Sequence, residues 1–146
     1  MSEATLTVKG IYSNLARIGA FINDFVRQAG FDDRFRYALE MAVDEACSNI
    51  IEHGYAGEGK GDIALTINHL QDGQAGIKVT IQDQGDPFNP DDIPPPNTQA
   101  PLEERQAGGL GLFLIRQLMD EVYFDFAGGE RGDTNTLVII KRLSIT

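Results

Sequence analysis

Three groups of residues in this chain have the types and spacing that chemistry requires. Glu45, Asn49 and His53 stand four residues apart within Leu39–Gly54, so on a helix they stack along one polar face. A carboxylate, an amide and an imidazole in that order make either the rim of a phosphate–metal site or an ordinary solvated face. Asp83 continues the alternation of Ile77, Val79 and Ile81 and points by parity to their buried side, where an unpaired charge is costly. It is either a ligand-binding carboxylate or a strand-end cap closing a turn through the amides of Gln84 and Gly85. Gly108, Gly109 and Gly111 run directly into an apolar helix, where bare backbone amides and the helix dipole can hold an anion. Their spacing is neither that of a Walker A loop nor that of a dinucleotide fingerprint.

The elements that must position these groups follow from periodicity. Leu39, Val43, Ala46 and Ile50 form an apolar helical stripe, on a helix opening at Asp32 or Asp33 and ending at His53–Gly54. An earlier helix runs from Ser13, as N-cap, to Gly30, with Leu15, Ile18, Ile22, Phe25, Val26 and Ala29 on one face. Thr5–Lys9 reads as a short strand. Ile63, Leu65 and Ile67 alternate in a second strand and Ile77, Val79 and Ile81 in a third, joined by a hairpin over residues 71–76. All six prolines lie between Pro87 and Pro101, a stretch that admits neither helix nor central strand. Such a segment is a tolerated insertion or a functional loop such as a lid. Glu121–Phe126 and Asn135–Leu143 read as the last strands. The order predicts an α+β two-layer sandwich, a mixed and mostly antiparallel sheet with three helices on one face.

The 146 residues suit one domain, and 42% apolar with 23% charged residues is ordinary globular composition. The net charge of −10 argues against a direct nucleic-acid surface or an anionic-membrane surface, and leaves room for a basic protein partner. Cys47 is the only cysteine, so neither an internal disulfide nor a thiolate metal cluster is expected. No apolar run reaches membrane-span length and the N-terminus lacks signal-peptide character, so a soluble, cytoplasmic chain is expected.

Taken in order, Glu45-xxx-Asn49-xxx-His53, Asp83-x-Gly85 and Gly109-x-Gly111 resemble the motifs of the GHKL superfamily of ATP-binding domains, whose sandwich is called the Bergerat fold. His53-Gly54-Tyr55, Pro87-Phe88-Asn89-Pro90 and the closing Lys141-Arg142-Leu143 are most similar to its anti-sigma factor serine/threonine-protein kinase branch. The resemblance implies one ATP-binding kinase domain over residues 1–146, with Pro87 to Gly108 as the ATP lid. It implies that Asn49 coordinates a Mg²⁺ bridging the ATP phosphates and that Glu45 is the general base. Asp83 would accept the adenine amino group, Gly85 would let the base approach, and Thr136 (or Thr134) would complete the pocket through water. Gly109, Leu110 and Gly111 would hold phosphate oxygens, and Arg105 would reach the terminal phosphate. His53 would touch a phosphate or simply favour the helix C-terminal dipole.

In this branch the substrate is a serine on a STAS-domain anti-anti-sigma protein, and a sigma factor is sequestered. Dimerisation often uses the sheet side away from the helices, to which Leu6 and Val8 are expected to contribute. The middle motif departs from the common pattern: Pro87 stands where many relatives have a second glycine, and Asp86 adds a negative charge. These two residues favour an alternative, a nucleotide-binding module that sequesters a partner without phosphoryl transfer.

Overall fold

The structure is a computed structural model and describes residues 2–86, 115–125 and 134–143. Five strands and two long helices follow in the order β1 (Glu3–Lys9), α1 (Leu15–Gln28), α2 (Asp33–Asn49), β2 (Asp62–Leu70), β3 (Gly76–Asp83), β4 (Glu121–Asp125) and β5 (Asn135–Arg142). Residues 115–118 are also helical.

Local chemistry accounts for the helix boundaries, with one correction. A short 3₁₀ turn at Tyr12–Asn14 takes up Ser13, so Ser13 is not the N-cap of α1. Asn14 stands at that position without a side-chain cap bond, and its Nδ2 donates instead to the Lys9 carbonyl at 2.8 Å. Gly30, with φ of +93°, ends the helix in the left-handed conformation that favours glycine. Asp32, rather than Asp33, caps α2 by accepting from the Phe35 amide at 2.9 Å.

The strands lie in the order β1-β2-β3-β5-β4, and every described neighbouring pair is antiparallel. Register lines up the inner face in apolar rows: Leu6, Leu65, Ile81, Leu137 and Phe124 form one, and Ala4, Ile67, Val79, Ile139 and Val122 the next. Ile18, Ile22 and Val26 of α1, Leu39, Val43 and Ala46 of α2, and Ile115 with Met119 pack into the same core. The three helical segments therefore cover one face, the two-layer arrangement that periodicity predicts.

The expected placement of Leu6 and Val8 on the outer face does not hold. Leu6 pairs with Leu65 and Val8 with Ile63, both buried, so the two residues face the helices. The outer side of β1 carries Thr5 and Thr7 instead. No helix among the described residues is long and apolar enough to cross a membrane.

Candidate functional site

The regular part of α2 ends at Asn49, and a π-helical turn follows over Ile50–Gly54. Its signature is the Tyr55 amide bonding the Ile50 carbonyl at 2.8 Å. A wider turn no longer stacks residues four apart, so the expected file of three is split. Glu45 and Asn49 keep helical spacing, whereas His53 is exposed on the π turn, its Nε2 3.9 Å from Glu52 Oε2.

Asn49 is only 5% exposed. Its Oδ1 is buried with no hydrogen-bond partner among the described residues, an arrangement that costs about 1–3 kcal/mol when nothing fills it. A buried amide oxygen lacking a donor suits a hard, oxygen-seeking cation such as Mg²⁺. One turn earlier, burial pushes the Glu45 carboxyl above the usual carboxylate range, and the charges of Asp44 and Glu52 push it further. That is the direction a general base requires.

At the end of β3 the inner face turns polar. Asp83 is 6% exposed and pairs across the sheet with Asn135, itself 5% exposed. Asp83 Oδ1 accepts from the Gly85 amide at 2.9 Å and from Asn135 Nδ2 at 3.1 Å. Asn135 Nδ2 also donates to the Gly85 carbonyl at 2.9 Å. Oδ1 is thus the turn-closing oxygen, while Oδ2 has no partner among the described residues. The turn-closing reading of Asp83 accounts for Oδ1. Burial raises the Asp83 carboxyl, and the bonds from Asn135 and Gly85 pull it partly back.

The two ends meet through the backbone. The Asp86 amide donates to the Gly54 carbonyl at 2.8 Å, and a Cβ on Gly85 would lie 2.6 Å from the Gly54 carbonyl. The constraint visible at Gly85 is therefore close packing on the π turn. The Tyr55 hydroxyl accepts from the Gln84 amide at 3.0 Å and donates to the Asp62 carbonyl at 2.6 Å, pinning β2 and β3 to the turn. On α2, the buried Cys47 thiol is pushed up by burial and then by the charges of Asp44 and Asp83. Asp83, Gln84, Thr134, Gln82, Ala64 and Asp62 line a depression of about 150 Å³.

One placement differs from the sequence expectation by one residue. Thr136 pairs with Gln82 and lies on the opposite sheet face from Asp83, so the structure does not bring the two together. Asn135 stands beside Asp83 instead. The signal was present: Leu137 and Ile139 face inward, and parity carries Asn135 inward with them. Arg105, Gly109, Leu110, Gly111 and the lid from Pro87 to Gly108 lie outside the described residues.

With this geometry in view, similarity to known proteins becomes informative. The model of the histidine kinase-like ATPase domain matches residues 12–141. The serine-protein kinase RsbW of Bacillus velezensis is 33% identical over 115 residues, which cover 68% of this chain and 70% of that protein. Its namesake in Listeria innocua is 32% identical over 126 residues, covering 82% and 77%. Among solved structures, the RsbU and RsbW domains of a Mycobacterium tuberculosis protein give a TM-score of 0.68 at 19% identity, over all of this chain and 34% of that one. A mycobacterial sensor histidine kinase gives 0.51 at 14%, over 94% and 100%. Likeness at these lower identities speaks for the fold, and it agrees with the sandwich described above. The domain match and the similarity to two kinases along more than two thirds of their length lead to one assignment: the chain belongs to the histidine kinase-like ATPase domain family, on its RsbW-type serine-protein kinase branch.

Proposed function

We propose that this kinase moves the terminal phosphoryl group of ATP to a serine of a STAS-domain anti-anti-sigma protein and that it also sequesters a sigma factor. In this reading residues 1–146 form one ATP-binding domain, residues 87–108 are its lid, and the protein works in the cytoplasm. The observation that carries it is the buried Oδ1 of Asn49, unpartnered among the described residues and one helical turn after Glu45. Mg²⁺, when bound, supplies positive charge against the phosphates. Asn49 Oδ1 would be its protein ligand. Phosphate and water oxygens would supply the remaining ligands, as suits Mg²⁺.

Glu45 takes the proton from the serine Oγ as the Oγ–phosphorus bond forms and the bond from phosphorus to the ADP oxygen breaks. Asp83 Oδ2 accepts from the adenine amino group. Arg105 steadies the transferring phosphoryl, the amides of Gly109, Leu110 and Gly111 hold phosphate oxygens, and His53 lies at the phosphate edge. The net charge of −10 supports a basic surface on the sigma partner. A second copy of the chain would use the outer sheet face, where Thr5, Thr66 and Thr80 form a row.

The test is incubation with radiolabelled ATP, Mg²⁺ and a purified STAS protein that binds this chain. Label on the STAS serine, lost in Glu45→Ala, supports the proposal. Binding without transfer contradicts it and favours the sequestering module, in which nucleotide only stabilises the fold.

A further inference from the structure

Asn135 is a buried amide at the start of β5. The two inward rows next to it, through Leu65, Ile81 and Leu137 and through Ile67, Val79 and Ile139, are apolar, yet here two polar side chains face each other across the register. Asn135 Nδ2 spans Asp83 Oδ1 at 3.1 Å and the Gly85 carbonyl at 2.9 Å. With the Gly85 amide also on Oδ1, one carboxylate oxygen is held twice and the other is left to face a ligand. Loss of either anchor lets the carboxylate turn about its terminal bond, which has a broad torsional well.

We propose that Asn135 is the positioning residue that sets the base selectivity of this site, holding Asp83 so that Oδ2 is presented as an acceptor to an adenine amino group. The inference rests on the reading of Asp83 as the adenine acceptor. Its physical content is the ionisation of Asp83. An ionised carboxylate accepts from the adenine amino group and repels the carbonyl oxygen that hypoxanthine carries at the same place. A neutral carboxyl can donate to that carbonyl, and discrimination collapses. Burial favours the neutral form here, while Asn135 and the Gly85 amide favour the ionised one.

The other groups around Asp83 give no cationic help. Its charge is felt by Cys47 on α2 and by Tyr55 on the turn after α2, and Asp62 shares its depression from the start of β2. Among the described residues no cation acts on the carboxyl. The amide of Asn135 is the side-chain donor that opposes burial.

The sign follows directly. ATP affinity falls as pH drops through the Asp83 pKa in the folded protein. Removing Asn135 moves that pKa up, so the fall begins at higher pH. The experiment is calorimetric titration of the full chain with ATP and, separately, with ITP across a pH series, for the wild type, Asn135→Leu, Asn135→Ser and Asp83→Ala. Asn135→Leu removes the donor at similar volume; Asn135→Ser is carried beside it so that the comparison stands if leucine is not tolerated. The expected result is roughly tenfold weaker ATP binding near neutral pH in the donor-less variant, with the loss of ATP-over-ITP preference displaced to higher pH and a smaller displacement in Asn135→Ser. An unchanged ATP:ITP ratio and pH profile in both Asn135 variants, with Asp83→Ala unable to bind, overturns the role of Asn135 alone. ATP binding that survives in Asp83→Ala overturns the adenine reading and this inference with it.

Discussion

Gly85 packs on Gly54 so tightly that a single added carbon would sit 2.6 Å from both the carbonyl carbon and oxygen of Gly54. This contact joins the end of β3 to the π turn after α2, and so brings the strand carrying Asp83 to the helix carrying Asn49. A neighbour made of backbone cannot step aside as a flexible side chain can. Gly85→Ala is therefore expected to destabilise the protein by about 1–3 kcal/mol and to weaken ATP binding. Urea denaturation and an ATP titration of the same preparation check both; wild-type values in each would show that the contact positions nothing.

Asn49 offers a separation of stability from function. Its Oδ1 is an acceptor buried without a donor among the described residues, so Asn49→Leu removes an unsatisfied polar atom at nearly constant volume. The expected change in stability ranges from neutral to a gain of about 1 kcal/mol, together with loss of the Mg²⁺-dependent part of ATP binding. Denaturation measured beside titrations with and without Mg²⁺ reads the two effects. A substantial loss of stability would mean that the amide is satisfied structurally.

Glu45 should leave its mark on pH profiles. Burial, then Asp44 and Glu52, raise its pKa in the fold, so the native state binds the proton more tightly than the unfolded chain. Its contribution to stability consequently falls as pH rises through the raised pKa. Phosphoryl transfer runs the opposite way, because the base must be ionised: the rate should fall as pH drops through that same value, above the ordinary glutamate range. Glu45→Gln is expected to cut transfer by about 10²-fold or more and to abolish that limb of the profile. A limb that persists in the variant belongs to another group.

Tyr55 ties three elements with one hydroxyl, accepting from Gln84 and donating to the Asp62 carbonyl. Tyr55→Phe keeps the ring against Gly61, where a Cβ would clash with it, and deletes only the oxygen. The expected cost is about 1–2 kcal/mol, with faster amide exchange at Gln84. Unchanged exchange there would show that the hydroxyl does not secure the strand end.

How far the chain alone announced this architecture depends on the reach of each signal. The stripe of Leu39, Val43, Ala46 and Ile50 and the alternation through β2 and β3 are local periodicities, and both lie buried as they predict. The inward turn of Asp83 was legible for the same reason. The π turn was not, because it adds one residue to a hydrogen-bond ring without changing residue types. The packing of Gly85 on Gly54 joins positions far apart in the chain and leaves no local trace. Leu6 and Val8 misled because β1 alone does not say which of its faces the helices cover; its pairing with β2 does. Asn135 is legible from the parity of Leu137 and Ile139, although threonines flank it on both sides.

The central claim is that the end of α2 and the end of β3 together hold one nucleotide. Calorimetric titration of Mg²⁺–ATP into the wild type and Asp83→Asn tests it most directly, because the substitution keeps size and places a donor where the adenine amino group needs an acceptor. The account predicts binding in the wild type and at least a tenfold loss in Asp83→Asn, in line with an unpaired polar contact in a buried site. Equal affinity in the two proteins would contradict it.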